Sequence, residues 1–157
     1  MKHKNKLLLA VLLFIHLSLL QDEEISCFRD IKPAAPHHYL VVPTRHVGNC
    51  KSLNKEDVPL VKRMVEKGKE ILQKNNVTDL SDVRFGFHWP PFCSVTHLHL
   101  HVLAPASQMG FMSRLFYRLN SYWFITVSPI FYICVWLYIL YIIELLAKCQ
   151  SLARTMF

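Results

Sequence analysis

The most regular pattern of polar and apolar positions lies in residues 96–105, which read THLHLHVLAP. His97, His99 and His101 alternate with leucine and valine. A period of two is that of a β-strand, so the imidazoles are predicted on one face and the apolar side chains on the core face. Neighbours on one face lie roughly 6.5–7 Å apart. A phosphate-sized group could therefore touch His99 and His101 together, but hardly His97 and His101, and the three histidines are predicted to have different roles.

Other segments complete a compact domain of helix and strand. Aromatic and β-branched runs predict strands at CFRDI, HYLVVP and DVRFGFH. One helix is predicted between them, because Asp57 can cap it and Pro59 falls in its first turn. An apolar stripe at helical spacing indicates core packing on one face of that helix and comprises Leu60, Val61, Met64, Val65, Ile71 and Leu72.

The N-terminal segment, residues 1–21, is hydrophobic. It has a basic start, an apolar run over 7–20 and then acidic residues, which is the charge order of a signal peptide or signal anchor. No small-x-small cleavage site follows, and the run is short for a membrane span. An amphipathic or buried first helix remains the alternative.

The C-terminal segment, residues 127–157, is also hydrophobic. Residues 128–147, SPIFYICVWLYILYIIELLA, carry the single charge of Glu144, and the run reaches the ~20 residues that a membrane span requires. Ser128 and Pro129 are a helix-start signal. We expect a transmembrane helix here, and the alternative is a tail unrelated to the domain that does not insert.

Composition limits the kinds of partner and site. The 157 residues are 52% hydrophobic with mean hydropathy +0.23, and this apolar content is higher than one soluble domain needs. The net charge of +7 suits an anionic partner such as a phosphate, a nucleic acid or a membrane surface. Five cysteines without a C-x-x-C pair argue against a disulfide framework or a cysteine zinc knuckle. Repeated imidazoles indicate metal binding or proton and nucleophile chemistry near neutral pH.

Two motifs together carry a family resemblance. HLHLHVL matches the H-φ-H-φ-H-φ-φ pattern of the histidine triad superfamily, and RDIKPAAPHHYLVVPTRH resembles its upstream D-I-x-P-x-A-x-x-H-x-L-V-x-P segment. GFHWPPFCSVTHLHLHVL and FYRLNSYWFIT are most similar to the branch near aprataxin. The resemblance covers residues 22–126 and implies an α+β fold in which an antiparallel sheet packs with a long helix. The chain departs from that branch before residue 22 and after Thr126.

The resemblance also implies an activity and roles for the histidines. Family members act at the α-phosphate of a nucleotide through a covalent histidine–nucleotide intermediate, so we expect an adenosine 5′-monophosphoramidase-like hydrolase of P–N bonds, with acyl-adenylates as a further substrate class. His99 resembles the nucleophile, and a neutral imidazole is a competent one. His101 would hydrogen-bond the phosphoryl oxygens or the leaving group, His97 would orient His99, and His38 resembles a fourth family histidine.

Further residues resemble substrate contacts of the family. Asp30 and Ile31 resemble a ribose-binding pair, although turn chemistry also explains a carboxylate at position 30. Ser94 matches a serine that reaches the phosphate or leaving group, and a strand-entry serine that bonds its own backbone is the alternative. Leu100 belongs to the same binding strand, between His99 and His101.

The expected partners are a purine nucleotide and a second copy of the chain, with no metal, no cofactor and no nucleic acid. The resemblance implies a cytoplasmic and nuclear location, with membrane association through 128–147 as the alternative. Two rival functions remain. One is a metal-binding protein, since H-x-H on a strand also suits zinc, although no acidic or cysteine ligand stands at a suitable spacing nearby. The other is a noncatalytic, membrane-associated nucleotide-binding protein that retains the motif.

Overall fold

A computed structural model describes residues 19–93 and 95–127. Within them the chain forms one antiparallel sheet, in the order β1-β2-β3-β5-β4-β6. The strands are β1 (Leu20–Gln21), β2 (Ile25–Arg29), β3 (His37–Pro43), β4 (Arg84–His88), β5 (Leu100–Ala104) and β6 (Phe124–Thr126). The histidine-bearing β5 therefore pairs on both sides, with β3 and with β4. The α+β architecture with an antiparallel sheet is as predicted.

Helix α1 (Val58–Lys74) follows β3 and has Pro59 in its first turn. Asp57 occupies the N-cap position, but its side chain makes no cap hydrogen bond. Its carboxylate instead accepts the Asn54 amide at 3.2 Å and pairs with the Arg45 guanidinium. The start of the helix is thus tied to the loop after β3.

The apolar face of the sheet packs against α1. Its core includes Cys27, Tyr39, Val41, Leu100 and Val102, all at most 2% exposed. The predicted helical stripe faces this core: Val61, Met64, Ile71 and Leu72 are buried, and Leu60 and Val65 are partly buried against it. This face accounts for the alternation of leucine and valine with histidine in β5.

The opposite face of the sheet carries the histidines and is covered by residues 106–123, here named the covering segment. The segment contains the short helix α2 (Phe111–Phe116). It is fastened to β4 by a hydrogen bond from Arg84 Nη1 to the Tyr117 carbonyl at 2.7 Å, and a bond within the segment runs from Trp123 Nε1 to the Leu115 carbonyl at 2.8 Å. A second, smaller core of Leu103, Met109 and Phe124 lies beneath it.

The expected fold requires one correction, because the transmembrane helix is not supported. In the part of the chain that the structure describes, no helix has the length and apolar character to cross a membrane; α1, the longest, has 17 residues and carries charge along one side. The expectation was wrong to add a span to the fold on apolar length alone, since length and hydropathy do not establish that a segment forms a helix. Residues 128–147, and nearly all of the segment 1–21, lie outside the described residues.

Close packing of α1 on the sheet depends on Gly68. A Cβ at this position would lie 2.8 Å from Val102 Cγ2 and 3.0 Å from Phe85 Cε1. We expect Gly68→Ala to lower the free energy of unfolding by about 1–3 kcal/mol through overpacking, even though alanine is the better helix former by about 1 kcal/mol. Urea denaturation measures the change. Lys69→Ala, at an exposed neighbouring position, is the control and should stay within about 0.5 kcal/mol; an unchanged or more stable Gly68→Ala would contradict the packing argument.

Candidate active site

Three neighbouring strands bring four imidazoles to the covered face of the sheet. His101 of β5 pairs with Leu40 of β3 and with Gly86 of β4. Residues two positions along a strand share a face, so His38, His88 and His99 lie on the same side as His101. The ring centroids confirm the grouping, since that of His101 lies 5.2 Å from His38, 4.8 Å from His88 and 5.0 Å from His99.

His99 is held with one nitrogen free. Its Nδ1 lies 2.7 Å from the backbone carbonyl of His97. A carbonyl only accepts, so the proton sits on Nδ1 and leaves the lone pair on Nε2. Burial lowers the pKa of His99 below its usual 6.5, more than the bond to the carbonyl raises it. The ring is therefore neutral at pH 7, which is the state that a nucleophile needs.

His38 and His101 form a directed hydrogen-bonded pair. The Ala34 amide donates to His38 Nδ1 at 3.1 Å, which places the His38 proton on Nε2. That Nε2–H then donates to His101 Nδ1 at 2.9 Å. His101, whose Nδ1 accepts, consequently carries its own proton on Nε2. A chain of two hydrogen bonds thus runs from the Ala34 amide through His38 to His101, and it leaves the His101 proton on Nε2.

The Nε2–H of His101 has no partner among the described residues, although His101 is only 4% exposed. An unsatisfied buried donor costs about 1–3 kcal/mol. Burial holds the pKa of His101 well below its usual value, and the neighbouring imidazoles lower it further. Burial also lowers the pKa of His38 to about 4, against the opposing charge of Asp30. A neutral, unpaired donor beside His99 is suited to an anionic acceptor such as a phosphoryl oxygen.

Asp30 lies beside the junction of this pair. One carboxylate oxygen accepts the Lys32 amide at 2.8 Å, which is the turn contact that sequence reasoning had left open. The other oxygen lies 3.5 Å from His38 Nε2. Asp30 therefore combines a local turn with an electrostatic contact to the imidazoles.

The His97 side chain lies apart from this group. Its Nε2 donates to the Pro43 carbonyl at 2.9 Å, and its Nδ1 lies 2.9 Å from His46 Nδ1. Only the backbone carbonyl of His97 reaches His99. The side chain thus anchors the backbone whose carbonyl sets the tautomer of His99.

Two further residues predicted at the site lie in different environments. Ile31 is 89% exposed at the start of the turn after β2. Leu100 is fully buried in the core on the α1 face, opposite the imidazoles. Ser94 lies outside the described residues.

A metal at this site would conflict with the hydrogen bonds. Asp30, His38 and His101 each offer a ligand atom within 4.8 Å of the others, a cluster that sequence spacing did not reveal. To bind a cation, His38 Nε2 would have to lose its proton, and a neutral ring would then carry one on Nδ1, facing the Ala34 amide donor. The residues fit a proton-sharing pair better than a metal donor set.

Two residues of the site were missed by sequence reasoning. His88 donates from Nδ1 to the Trp123 carbonyl at 3.1 Å. The Tyr117 ring of the covering segment contacts His38, His88 and His101 at centroid distances of 5.4, 5.1 and 5.3 Å. The sequence did contain an indication for His88, because this histidine ends a predicted strand just before the triad. The sequence contained no such indication for Tyr117, since the position of its ring depends on how the covering segment folds back over the sheet.

Comparison with known proteins places this geometry in a family. Residues 15–117 match the family model described as "Scavenger mRNA decapping enzyme C-term binding". Among solved structures, a HIT family hydrolase from Legionella pneumophila is similar with TM-score 0.50 and 28% identity, over 56% of this chain and 80% of that one. The chain belongs to the histidine triad superfamily. Its sheet, helix and central histidine strand are therefore those of a histidine triad domain.

Curated relatives within the superfamily are considerably more similar. Adenosine 5′-monophosphoramidase HINT3 of Xenopus tropicalis is 66% identical over 109 residues, which is 69% of this chain and 71% of that protein. The Mus musculus protein of the same name is 59% identical over 108 residues, covering 69% of this chain and 66% of that protein. The predicted family resemblance is confirmed, and within the family the chain is similar to the HINT3 proteins.

The hydrogen bonds predict a specific tautomer for each imidazole at pH 7. His99 should carry its proton on Nδ1, whereas His38 and His101 should carry theirs on Nε2, because each is fixed by a backbone group or by its neighbour. Long-range ¹H–¹⁵N correlation spectra of the imidazole nitrogens distinguish these forms. A His38 protonated on Nδ1 would contradict the directed pair and would reopen the metal interpretation.

Proposed function

We propose that this chain hydrolyses the P–N bond of adenosine 5′-monophosphoramidates through a covalent adenylate on His99 Nε2. The activity is that named for the relatives at 66% and 59% identity. The observation that carries the proposal is the state of His99, which is neutral with its Nδ1–H held by the His97 carbonyl. Among the described residues its Nε2 lone pair has no partner, and it lies beside the unpaired N–H of His101.

The reaction divides into two displacements. In the first, His99 Nε2 forms a bond to the α-phosphorus while the P–N bond to the amine breaks, and the amine leaves with a proton supplied by solvent. The adenylated His99 ring keeps its proton on Nδ1, and the His97 carbonyl stabilises the positive charge that the ring now carries. In the second, water attacks the phosphorus while the P–Nε2 bond breaks; AMP leaves, one proton of the water returns to solvent and neutral His99 is restored.

The other groups of the site bind and stabilise. The His101 Nε2–H donates to a phosphoryl oxygen, where charge accumulates as the phosphorus is attacked. Asp30 and Ile31 hold the ribose and the base, and Ser94 contacts the phosphate or the leaving group; these assignments rest on the family resemblance. Asp30 has one oxygen engaged in its turn, so the oxygen near His38 is the one that would face a ribose hydroxyl.

Assembly and location belong to the same proposal. A homodimer and a cytoplasmic and nuclear location are supported by the family resemblance. The described cysteines, Cys27, Cys50 and Cys93, are free thiols, in keeping with a reducing compartment.

Removing the nucleophile tests the proposal directly. His99→Ala should lower kcat on a fluorogenic adenosine phosphoramidate by about a thousandfold or more, because no intermediate can form. Intact-mass spectrometry of quenched reactions should detect an adenylate on the wild type and none on this variant. His97→Ala is the matched control and should only weaken turnover, since its backbone carbonyl remains. Near-normal kcat in His99→Ala would refute the mechanism, and binding of AMP without any turnover by the wild type would favour the noncatalytic alternative.

The pH dependence of kcat/KM provides a second test. Only neutral His99 attacks, and its pKa in the folded protein lies below 6.5. The rate should therefore be flat near pH 7 and fall only as pH drops through that lowered pKa. Steady-state kinetics from pH 5 to 8 measure the acid limb, which reports the free enzyme. An acid limb centred at or above pH 6.5 would contradict the conclusion that burial lowers the pKa of His99.

A further inference from the structure

The covering segment meets the histidines through the Tyr117 ring and through the Trp123 carbonyl, which accepts from His88. The Tyr117 ring makes the larger number of these contacts. Its ring contacts three imidazoles and also Phe124, at a centroid distance of 5.4 Å. Phe124 is fully buried and approaches β4 closely because Gly86 has no side chain; a Cβ there would lie 2.6 Å from Phe124 Cζ. Tyr117 and Phe124 thus form an aromatic wall against the imidazoles.

The position of Tyr117 is fixed by bonds to its backbone. Its carbonyl accepts from Arg84 Nη1 at 2.7 Å, and its amide donates to the Ser113 carbonyl at 2.9 Å. Two residues before it, the Leu115 carbonyl accepts from Trp123 Nε1. The backbone that carries the ring is therefore held by three hydrogen bonds, at a point where α2 otherwise exposes its apolar side chains to solvent.

The hydrogen-bonded pair beneath this wall depends on exclusion of water. His38 is fully buried, and burial is the largest cause of the low pKa of both His38 and His101. Burial, with the charge of Asp30, raises the pKa of Tyr117 to about 12, so its hydroxyl stays uncharged and adds no field of its own.

We propose that Tyr117 is a positioning residue of the phosphoramidase site: its ring closes the histidine cluster to water on the side of the covering segment and so keeps the His38–His101 pair in the arrangement that the reaction uses. The inference rests on the proposed function, and it adds a residue outside the histidine motif to the machinery. It assigns to α2 and its fastening by Arg84 a role in the chemistry as well as in the fold.

The charged and titratable groups around the cluster are few among the described residues. They comprise Asp30 after β2, His38 on β3, His88 and Arg84 on β4, His99 and His101 at β5, and Tyr117 itself. Arg84 is turned to the Tyr117 carbonyl, and Arg114 of α2 donates to the Met109 and Ser107 carbonyls. Asp30 is the only carboxylate of this set, so loss of the ring would change chiefly the solvation of the imidazoles.

The test compares Tyr117→Ala with Tyr117→Phe. The alanine variant admits water to the cluster, including His99, whose ring lies 5.0 Å from that of His101. The acid limb of kcat/KM that His99 sets should therefore move to higher pH; a rise of one pKa unit lowers kcat/KM on the acid side of the limb about tenfold. The phenylalanine variant keeps the ring and should leave the limb in place. Tyr122→Ala, at a nearby side chain that is 88% exposed, controls for removal of an aromatic residue from this surface.

Histidine titration by NMR separates failure of this inference from failure of the proposed function. The pKa of His38 or His101 should rise in Tyr117→Ala and stay unchanged in Tyr117→Phe, whether or not the protein turns over a phosphoramidate. An inactive wild type would overturn the proposed function, and the titration would still test whether the Tyr117 ring excludes water from the imidazoles. Unchanged titrations and an unchanged limb in a folded Tyr117→Ala would overturn the inference.

Two further results bear on the proposal. A limb that moved to lower pH would also overturn it, because the ring would then be stabilising an imidazolium by cation–π attraction. Arg84→Met removes the bond to the Tyr117 carbonyl and leaves the ring intact, and it carries the test if Tyr117→Ala does not fold. It should raise the same histidine pKa values by a smaller amount, and unchanged values in the folded variant would contradict the fastening role.

Discussion

Burial of the imidazoles is the constraint on which the site depends. A charged imidazolium is unfavourable where water is excluded, so His38, His99 and His101 are held neutral. A neutral imidazole has one donor and one acceptor, and each ring must place its single proton according to its neighbours. The Ala34 amide decides this for His38 and, through it, for His101, while the His97 carbonyl decides it for His99. Two backbone groups therefore set the protonation pattern of these three imidazoles, and a third, the Trp123 carbonyl, sets that of His88.

The two faces of the sheet serve different purposes. Helix α1 covers an apolar face whose core residues are almost completely buried, and Gly68 lets the helix come close. That face supplies stability and keeps β3, β5 and β4 in register. The other face tolerates an unsatisfied donor on His101, which is a cost to folding that a bound phosphate would remove. The stability supplied by packing on the α1 face thus compensates for the unfavourable free energy of the unsatisfied donor on the histidine face.

The same residues explain why metal binding is the weaker interpretation. An Asp–His–His cluster satisfies the proximity that a cation requires. Proximity alone, however, does not say which lone pairs are free, and the amide of Ala34 places the His38 proton on the nitrogen that would have to bind. The arrangement places a hydrogen-bond donor on His101 beside the nucleophile His99, in agreement with the activity named for the close relatives.

Local pattern in the sequence was sufficient for much of the fold. The period-two alternation in β5 separated Leu100 and Val102 from the imidazoles, and the helical stripe identified the buried face of α1, because both periodicities follow from backbone geometry alone. The two motifs identified the superfamily. The apolar tail, by contrast, led to a transmembrane prediction that the structure does not support, since apolar length does not by itself establish a helix.

Tertiary structure decided which neighbours each side chain has. His38 and His101 are 63 residues apart in the chain and become hydrogen-bonded through the register of β3 and β5. The separation of the His97 side chain from His99 follows from its bond to Pro43, and the approach of Tyr117 follows from the return of the covering segment across the sheet. Periodicity determines the face on which a residue lies, whereas tautomer, pKa and exclusion of water depend on contacts between segments that are distant in sequence.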